Sequence, residues 1–141
     1  MTKLYTPQPD GPTLCIFCQA HQETSTHLFL KCSTVPPAWE YVMNLIQRTT
    51  RLYLTPSNEL CVRFNFPNYA TPFTDQLVLI YTVTRHAIWK TRNAARFENK
   101  TTNSGTIIQR IQQTLRYRHS YEIRKNNSIY ENTLRQLCAA L

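Results

Sequence analysis

Cys15, Cys18, His27 and Cys32 form the pattern C-x2-C-x8-H-x4-C near the start of the chain. No other feature restricts the fold as much. Two cysteines separated by two residues sit on one tight turn, with both sulfurs converging on a single point. A histidine and a third cysteine return from the next segment and complete a tetrahedron. Thiolate and imidazole donors at four-coordinate spacing select zinc over magnesium or calcium. Four protein ligands leave no position for water, so the spacing predicts one structural zinc ion. A module this short buries too little apolar surface to fold alone, and metal binding then supplies the folding energy. His21 is a geometrically possible substitute for His27. His27 is preferred because it leads directly into Leu28, Phe29 and Leu30, an apolar run suited to packing. The competing readings are buried free thiols and a redox-active Cys15/Cys18 pair, the latter disfavoured because no βαβ pattern surrounds it.

Beyond the cysteines the chain reads as mainly α: a small CCHC zinc module packed on a C-terminal helical bundle. Residues 1–13, with Pro7, Pro9, Gly11 and Pro12, read as an extended lead-in. Residues 14–49 form the zinc module and a following helix. Pro36 and Pro37 suit that helix's first turn, and Trp39, Val42, Met43 and Ile46 recur at i, i+3, i+4 and i+7. Residues 50–141 form a basic helical region, one compact unit with the zinc module. Within it a short helix starts after Thr55-Pro56. A long helix runs from Thr74, its N-cap, to about Glu98, with Leu77, Ile80, Tyr81, Thr84, Ile88, Thr91 and Ala95 on one stripe. Residues 100–105 form a turn. A helix over about 106–125 carries Ile107, Ile108, Ile111 and Leu115, and Asn126-Asn127 ends it. Ser128 and Glu131 then have capping-box spacing before Tyr130, Leu134, Leu137, Cys138 and Leu141. Cys61 and Cys138 lie on apolar faces as core thiols.

Charge is distributed unevenly. Residues 1–84 carry five basic and five acidic side chains, whereas residues 85–141 carry eleven basic against three acidic. The whole excess of +8 lies in the second part, the usual footprint of a polyanion partner. The alternative is a solvated helix face that keeps the protein soluble. Arg85, Trp89, Arg92 and Arg96 fall at i, i+4, i+7 and i+11, flanked by Lys90, as a stripe able to neutralise successive phosphates. The rival reading of Arg92, next to Asn93 at the helix end, is a structural residue whose guanidinium fork bridges to the zinc module. Arg116, Arg118, Arg124 and Lys125 are interleaved with Tyr117, His119 and Tyr121. That mixture suits single-stranded RNA, where phosphates take the charge and unstacked bases take the rings. Trp89 either stacks on a base or packs in the core, and Tyr117 and Tyr121 either present their rings or pack on the bundle.

Several classes are excluded. Two glycines rule out a dinucleotide fingerprint and a Gly-rich phosphate loop. The only aspartates, Asp10 and Asp75, are far apart, which argues against two-metal chemistry built on clustered carboxylates. Pro9-Asp10 and Glu98-Asn99-Lys100 superficially match a nuclease motif, but the first lies in the lead-in and the second at a helix end. No enzyme activity is expected. The longest apolar run, Leu77 to Tyr81, is far short of the roughly 20 residues of a membrane span. An odd cysteine count and the lack of a signal-peptide core point to an intracellular protein of the cytoplasm or nucleus.

The stretch Cys15-Ile16-Phe17-Cys18, Glu23-Thr24, His27-Leu28-Phe29, Cys32 and Trp39 resembles the zinc-binding domain that follows the reverse transcriptase in non-LTR retrotransposon proteins. The segment His86 to Asn93, with Trp89, Arg92 and Asn93, resembles the helix that commonly follows there. The resemblance covers about residues 12–100; the tail fits only in being basic and helical. No reverse transcriptase sequence and no adjacent Asp pair is present. The resemblance therefore implies only the C-terminal portion of such a protein, engaging template RNA during target-primed reverse transcription. The leading expectation is a non-catalytic, zinc-dependent module that binds RNA or single-stranded nucleic acid. The second is a protein-interaction domain that docks on a polymerase core.

Overall fold

Helical periodicity decides the architecture. The computed structural model describes residues 13–100, 102–125 and 128–141, the side chains of 125 and 128–131 excepted. The expected lead-in lies outside the described residues apart from Thr13, as do the breaker Asn126-Asn127 and the side chains of Lys125, Ser128, Tyr130 and Glu131. The chain is mainly helical, and the described residues contain no strand, only an isolated antiparallel bridge between Leu14 and Gln22.

Helix α1 spans Pro36–Thr50. Its two prolines occupy positions whose N–H groups would have no intrahelical partner. It buries Ala38, Trp39, Val42, Leu45 and Ile46, while Met43 is half-buried. It ends at Arg51, which adopts the left-handed conformation (φ 65°) and donates its N–H to the Gln47 carbonyl at 2.8 Å. The short helix α2, Asn58–Cys61, is a single turn capped by Ser57, whose Oγ accepts the Leu60 N–H at 3.3 Å.

Helix α3, Thr74–Phe97, corrects two expectations. Thr74 is not the N-cap but the first helical residue. A 3-10 turn over Asn68–Phe73 runs straight into the helix, and Thr74 donates both its N–H and its hydroxyl to the Thr71 carbonyl. On the buried stripe Ala94 takes the place expected of Ala95. Helix α4, Ser104–Lys125, starts within the expected turn because Asn103 Oδ1 accepts the Thr106 N–H at 2.9 Å. Helix α5 spans Ser128–Ala140.

The core lies where α1, α3, α4 and α5 meet. Ile107, Ile111 and Leu115 of α4 are fully buried, as are Leu137 of α5 and Leu77, Ile80 and Ile88 of α3. Trp39 sits at the centre, 1% exposed, with its ring edge-on to Tyr81 at 5.5 Å. Phe64 and Phe66 close the far side of Tyr81 at 5.9 and 5.0 Å. Gln112 of α4 donates to the Tyr41 hydroxyl of α1 at 3.1 Å. Cys61 is a core thiol as expected, and Cys138 is half-buried with its Sγ 3.6 Å from the Leu115 carbonyl.

Candidate metal centre and basic surface

The first two cysteines are placed by a tight reversal of the chain. The Gln19 N–H donates to the Cys15 carbonyl and the Cys15 N–H to the His21 carbonyl, both at 2.8 Å. Gln19 completes the turn with φ 57°, a left-handed conformation that costs a non-glycine residue energy and persists where its surroundings fix it. The second pair comes from one wide turn. His27–Lys31 is a π-helical turn closed by the Cys32 N–H donating to the His27 carbonyl at 2.7 Å. This i→i+5 bond explains the four-residue gap, because it returns Cys32 to the side of the turn that carries His27.

The four donor atoms all lie within 4.8 Å of one another, close enough to hold one metal ion. Cys15 Sγ is 3.8 Å from Cys32 Sγ, and Cys18 Sγ is 3.4 Å from His27 Nε2. A tetrahedral ion with metal–sulfur bonds of about 2.3 Å requires sulfur–sulfur edges of about 3.8 Å and sulfur–nitrogen edges of about 3.5 Å. The two edges fit. Cys15 and Cys32 are fully buried, whereas Cys18 and His27 are half-buried, so the centre has an inner and an outer edge. Burial pushes the Cys15 thiol up to about 12. Cys18 is pulled down to about 5, chiefly by the Ala20 N–H and further by His21 and His27. His21 itself is exposed, with Nδ1 3.9 Å from Cys18 Sγ and outside the group of four.

The arginine stripe of α3 packs inside the fold, and Arg92 takes the second of the two roles expected of it, bridging to the cysteine module. Arg92 is 2% exposed, and both its Nε and Nη2 donate to Glu23 Oε1, at 3.0 and 2.7 Å. Its Nη1 donates to Asn93 Oδ1 at 2.8 Å, and its guanidinium carbon lies 5.1 Å from the Trp89 ring centre. Arg96 donates to the Leu14 carbonyl at 2.9 Å and to Glu23 Oε2 at 3.3 Å. Arg85 donates to the Val62 carbonyl at 3.3 Å and lies over the Phe29 and Phe64 rings. The face read as a phosphate track is the face on which the cysteine module sits. A side chain committed to a buried carboxylate has nothing left for a phosphate, so Arg92 is withdrawn from the candidate surface. Arg85 and Arg96, mostly engaged within the fold, are set aside with it.

Lys90, Arg116, Arg118 and Arg124 are exposed. Among the described residues no carboxylate lies within ion-pair distance of these four. Tyr117 and Tyr121 are also exposed, at 66% and 43%. Tyr117, Tyr121 and Arg124 share one stripe of α4 at i, i+4 and i+7, turned away from buried Ile107, Ile111 and Leu115. Trp89 is half-buried against the core and lines a small cleft with Thr24, Ser25 and Leu28. The sequence marks Glu23 only within the Glu23-Thr24 pair of the resemblance and as a lone carboxylate between two ligand pairs, and its role as the partner of Arg92 and Arg96 was missed. Comparison with family models, with curated proteins and with solved structures gives no match. Among the described residues no helix is long and apolar enough to cross a membrane.

Proposed function

We propose that the chain is a zinc-dependent, non-catalytic nucleic-acid-binding module that takes single-stranded RNA or DNA on the outer face of α4. The observation that carries the reading is the exposed set Arg116, Tyr117, Tyr121 and Arg124, aromatic rings among cations that have no carboxylate within ion-pair distance among the described residues. Exposed Arg118 lines the adjoining groove toward α3. Phosphates suit the guanidiniums and unstacked bases suit the rings. Zinc is the ion proposed for the centre, since three thiolates and one imidazole in a closed tetrahedron match its structural sites. The zinc module braces the basic helices, and the thiolate ligands suit a reducing intracellular compartment. The resemblance to the domain that follows the reverse transcriptase in non-LTR retrotransposon proteins supports template RNA as the partner.

Salt titration tests the reading. Binding to an unstructured RNA oligonucleotide should weaken with salt, log K falling against log salt with a slope of about −0.7 per phosphate neutralised. No binding, or binding indifferent to salt, refutes it. The second reading, docking on a protein such as a polymerase core, is favoured by an open trough between Leu30, Trp39, Met43 and Leu54. Substitution in that trough, with α4 intact, separates the two.

A further inference from the structure

We propose that the metal centre carries a reserve fifth donor, His21, which takes a coordination position when the bond to His27 opens. The inference rests on the reading of the four-residue cluster as a metal centre and extends it to a residue outside that cluster.

The geometry carries the argument. Cys15 and Cys32 form the sealed inner edge, so ligand exchange is confined to the outer edge of Cys18 and His27. His21 stands beyond that edge, its Nδ1 3.9 Å from Cys18 Sγ. Its ring centre is 5.2 Å from that of His27, the planes inclined by 31°. Its backbone belongs to the turn that positions the first two cysteines, because its carbonyl accepts the Cys15 N–H and Gln22 bridges to Leu14. The Cα of His21 is therefore held beside the outer edge, and its exposed side chain can rotate toward it. Two residues separate Cys18 from His21, the same gap that separates Cys15 from Cys18. No other hydrogen-bonding side chain among the described residues holds the imidazole away from the centre.

The exchange balances without any other reactant. The bond from the metal to His27 Nε2 breaks, and a bond from the metal to a ring nitrogen of His21 forms. One neutral imidazole replaces another, so the charge of the centre is unchanged. A centre of this kind holds its metal through openings of the outer edge that would otherwise admit water or a chelator.

Cobalt in place of zinc gives the readout, since its visible bands report coordination number and the count of sulfur donors. The full chain, His21→Ala, His27→Ala and the double variant should be titrated with cobalt and zinc. His27→Ala should keep one metal per chain and a tetrahedral cobalt spectrum. The double variant should bind at least about tenfold more weakly, with an altered spectrum, the scale on which support around a metal is felt. Equal affinities and spectra for His27→Ala and the double variant overturn the proposal. Should His27→Ala fail to fold, the rate of zinc release to a chelator decides. Release should be severalfold faster from His21→Ala than from wild type, and equal rates overturn the proposal. A wild-type chain that takes neither metal overturns the metal reading itself, whereas loss confined to His27→Ala overturns the reserve ligand alone.

Discussion

Glu23 and Arg92 are 69 residues apart in sequence and form a buried ion pair at 2.7 Å, their side chains 3% and 2% exposed. Glu23 lies between the two halves of the metal-ligand set, on the segment joining Cys18 to His27. Arg92 lies near the end of α3. One side chain from each therefore joins the metal module to the longest helix of the bundle. Arg96 reaches the other oxygen of the same carboxylate and also the Leu14 carbonyl, next to the first ligand. Charges this deeply desolvated are tolerated only when paired and hydrogen-bonded. This join is thus a specific fastening and not a surface contact.

Removing either partner should be costly. Arg92→Ala leaves Glu23 with a weakened partner set in the interior, and a loss of about 3–5 kcal/mol in urea unfolding is expected. Arg92→Lys should rescue little, because one ammonium cannot supply Nε and Nη2 to the carboxylate and Nη1 to Asn93 together. Glu23→Gln should lower metal affinity as well as stability, since its segment carries the ligands. A change within about 0.5 kcal/mol for Arg92→Ala, the scale of an exposed site, would contradict the buried pair.

Metal removal should be felt at Trp39, which is not a ligand. Its Nε1 donates to the Phe29 carbonyl at 2.6 Å, inside the π turn that presents His27 and Cys32. A chelator or Cys15→Ser should release that turn, shift the tryptophan fluorescence to the red and lower the melting temperature. Trp39→Ala should itself cost about 3–5 kcal/mol. An unchanged emission spectrum after complete metal removal would show that the turn stands without the ion.

Alkaline pH should destabilise the core through Cys61. Burial pushes this thiol up to about 11 from its ordinary value of 9.0. A folded-state value above the unfolded one means full stability below pH 9 and loss as pH rises from there toward 11. The loss is about 2–3 kcal/mol. Tyr81, raised by burial and by its neighbours Cys61 and Tyr69, adds to the loss at still higher pH. Cys61→Ala should flatten the decline between pH 9 and 11 in denaturant titrations. The same slope in wild type and variant would remove Cys61 as its source.

The sequence discloses whatever depends on neighbours a few residues apart. The ligand set is legible because its spacings are turn lengths, and the helices are legible because apolar residues repeat within them. Their joins are not. The π turn at His27–Lys31 and the 3-10 turn ahead of α3 arise from tertiary packing that no local pattern encodes. Arg85, Arg92 and Arg96 show how a correct periodicity misleads. They do share a face of α3, and the metal module covers that face, so a stripe that reads as solvated is partly core. The clue lay in Glu23, the only carboxylate between Gly11 and Trp39, which a guanidinium from elsewhere could be expected to meet.

The surviving cationic face is on α4, and it gives the most discriminating prediction. Replacing Arg116, Arg118 and Arg124 together with Ala should weaken binding to single-stranded RNA across many sequences. The salt slope should flatten by up to about 2 units, three contacts at about 0.7 each. Fold and metal content should survive, because exposed arginines contribute little to stability. Tyr117→Ala should weaken binding by about 1–3 kcal/mol through lost base stacking and leave the slope alone. Lys31 and Arg63 are exposed cations on the metal-site turn and just after α2, which packs on that turn, so Lys31→Ala and Arg63→Ala serve as controls. Were these to cost as much as the α4 changes, binding would follow total charge and not the proposed face. Loss of slope on the triple variant alone, with Tyr117 acting independently of salt, would assign phosphates to the arginines and bases to the ring.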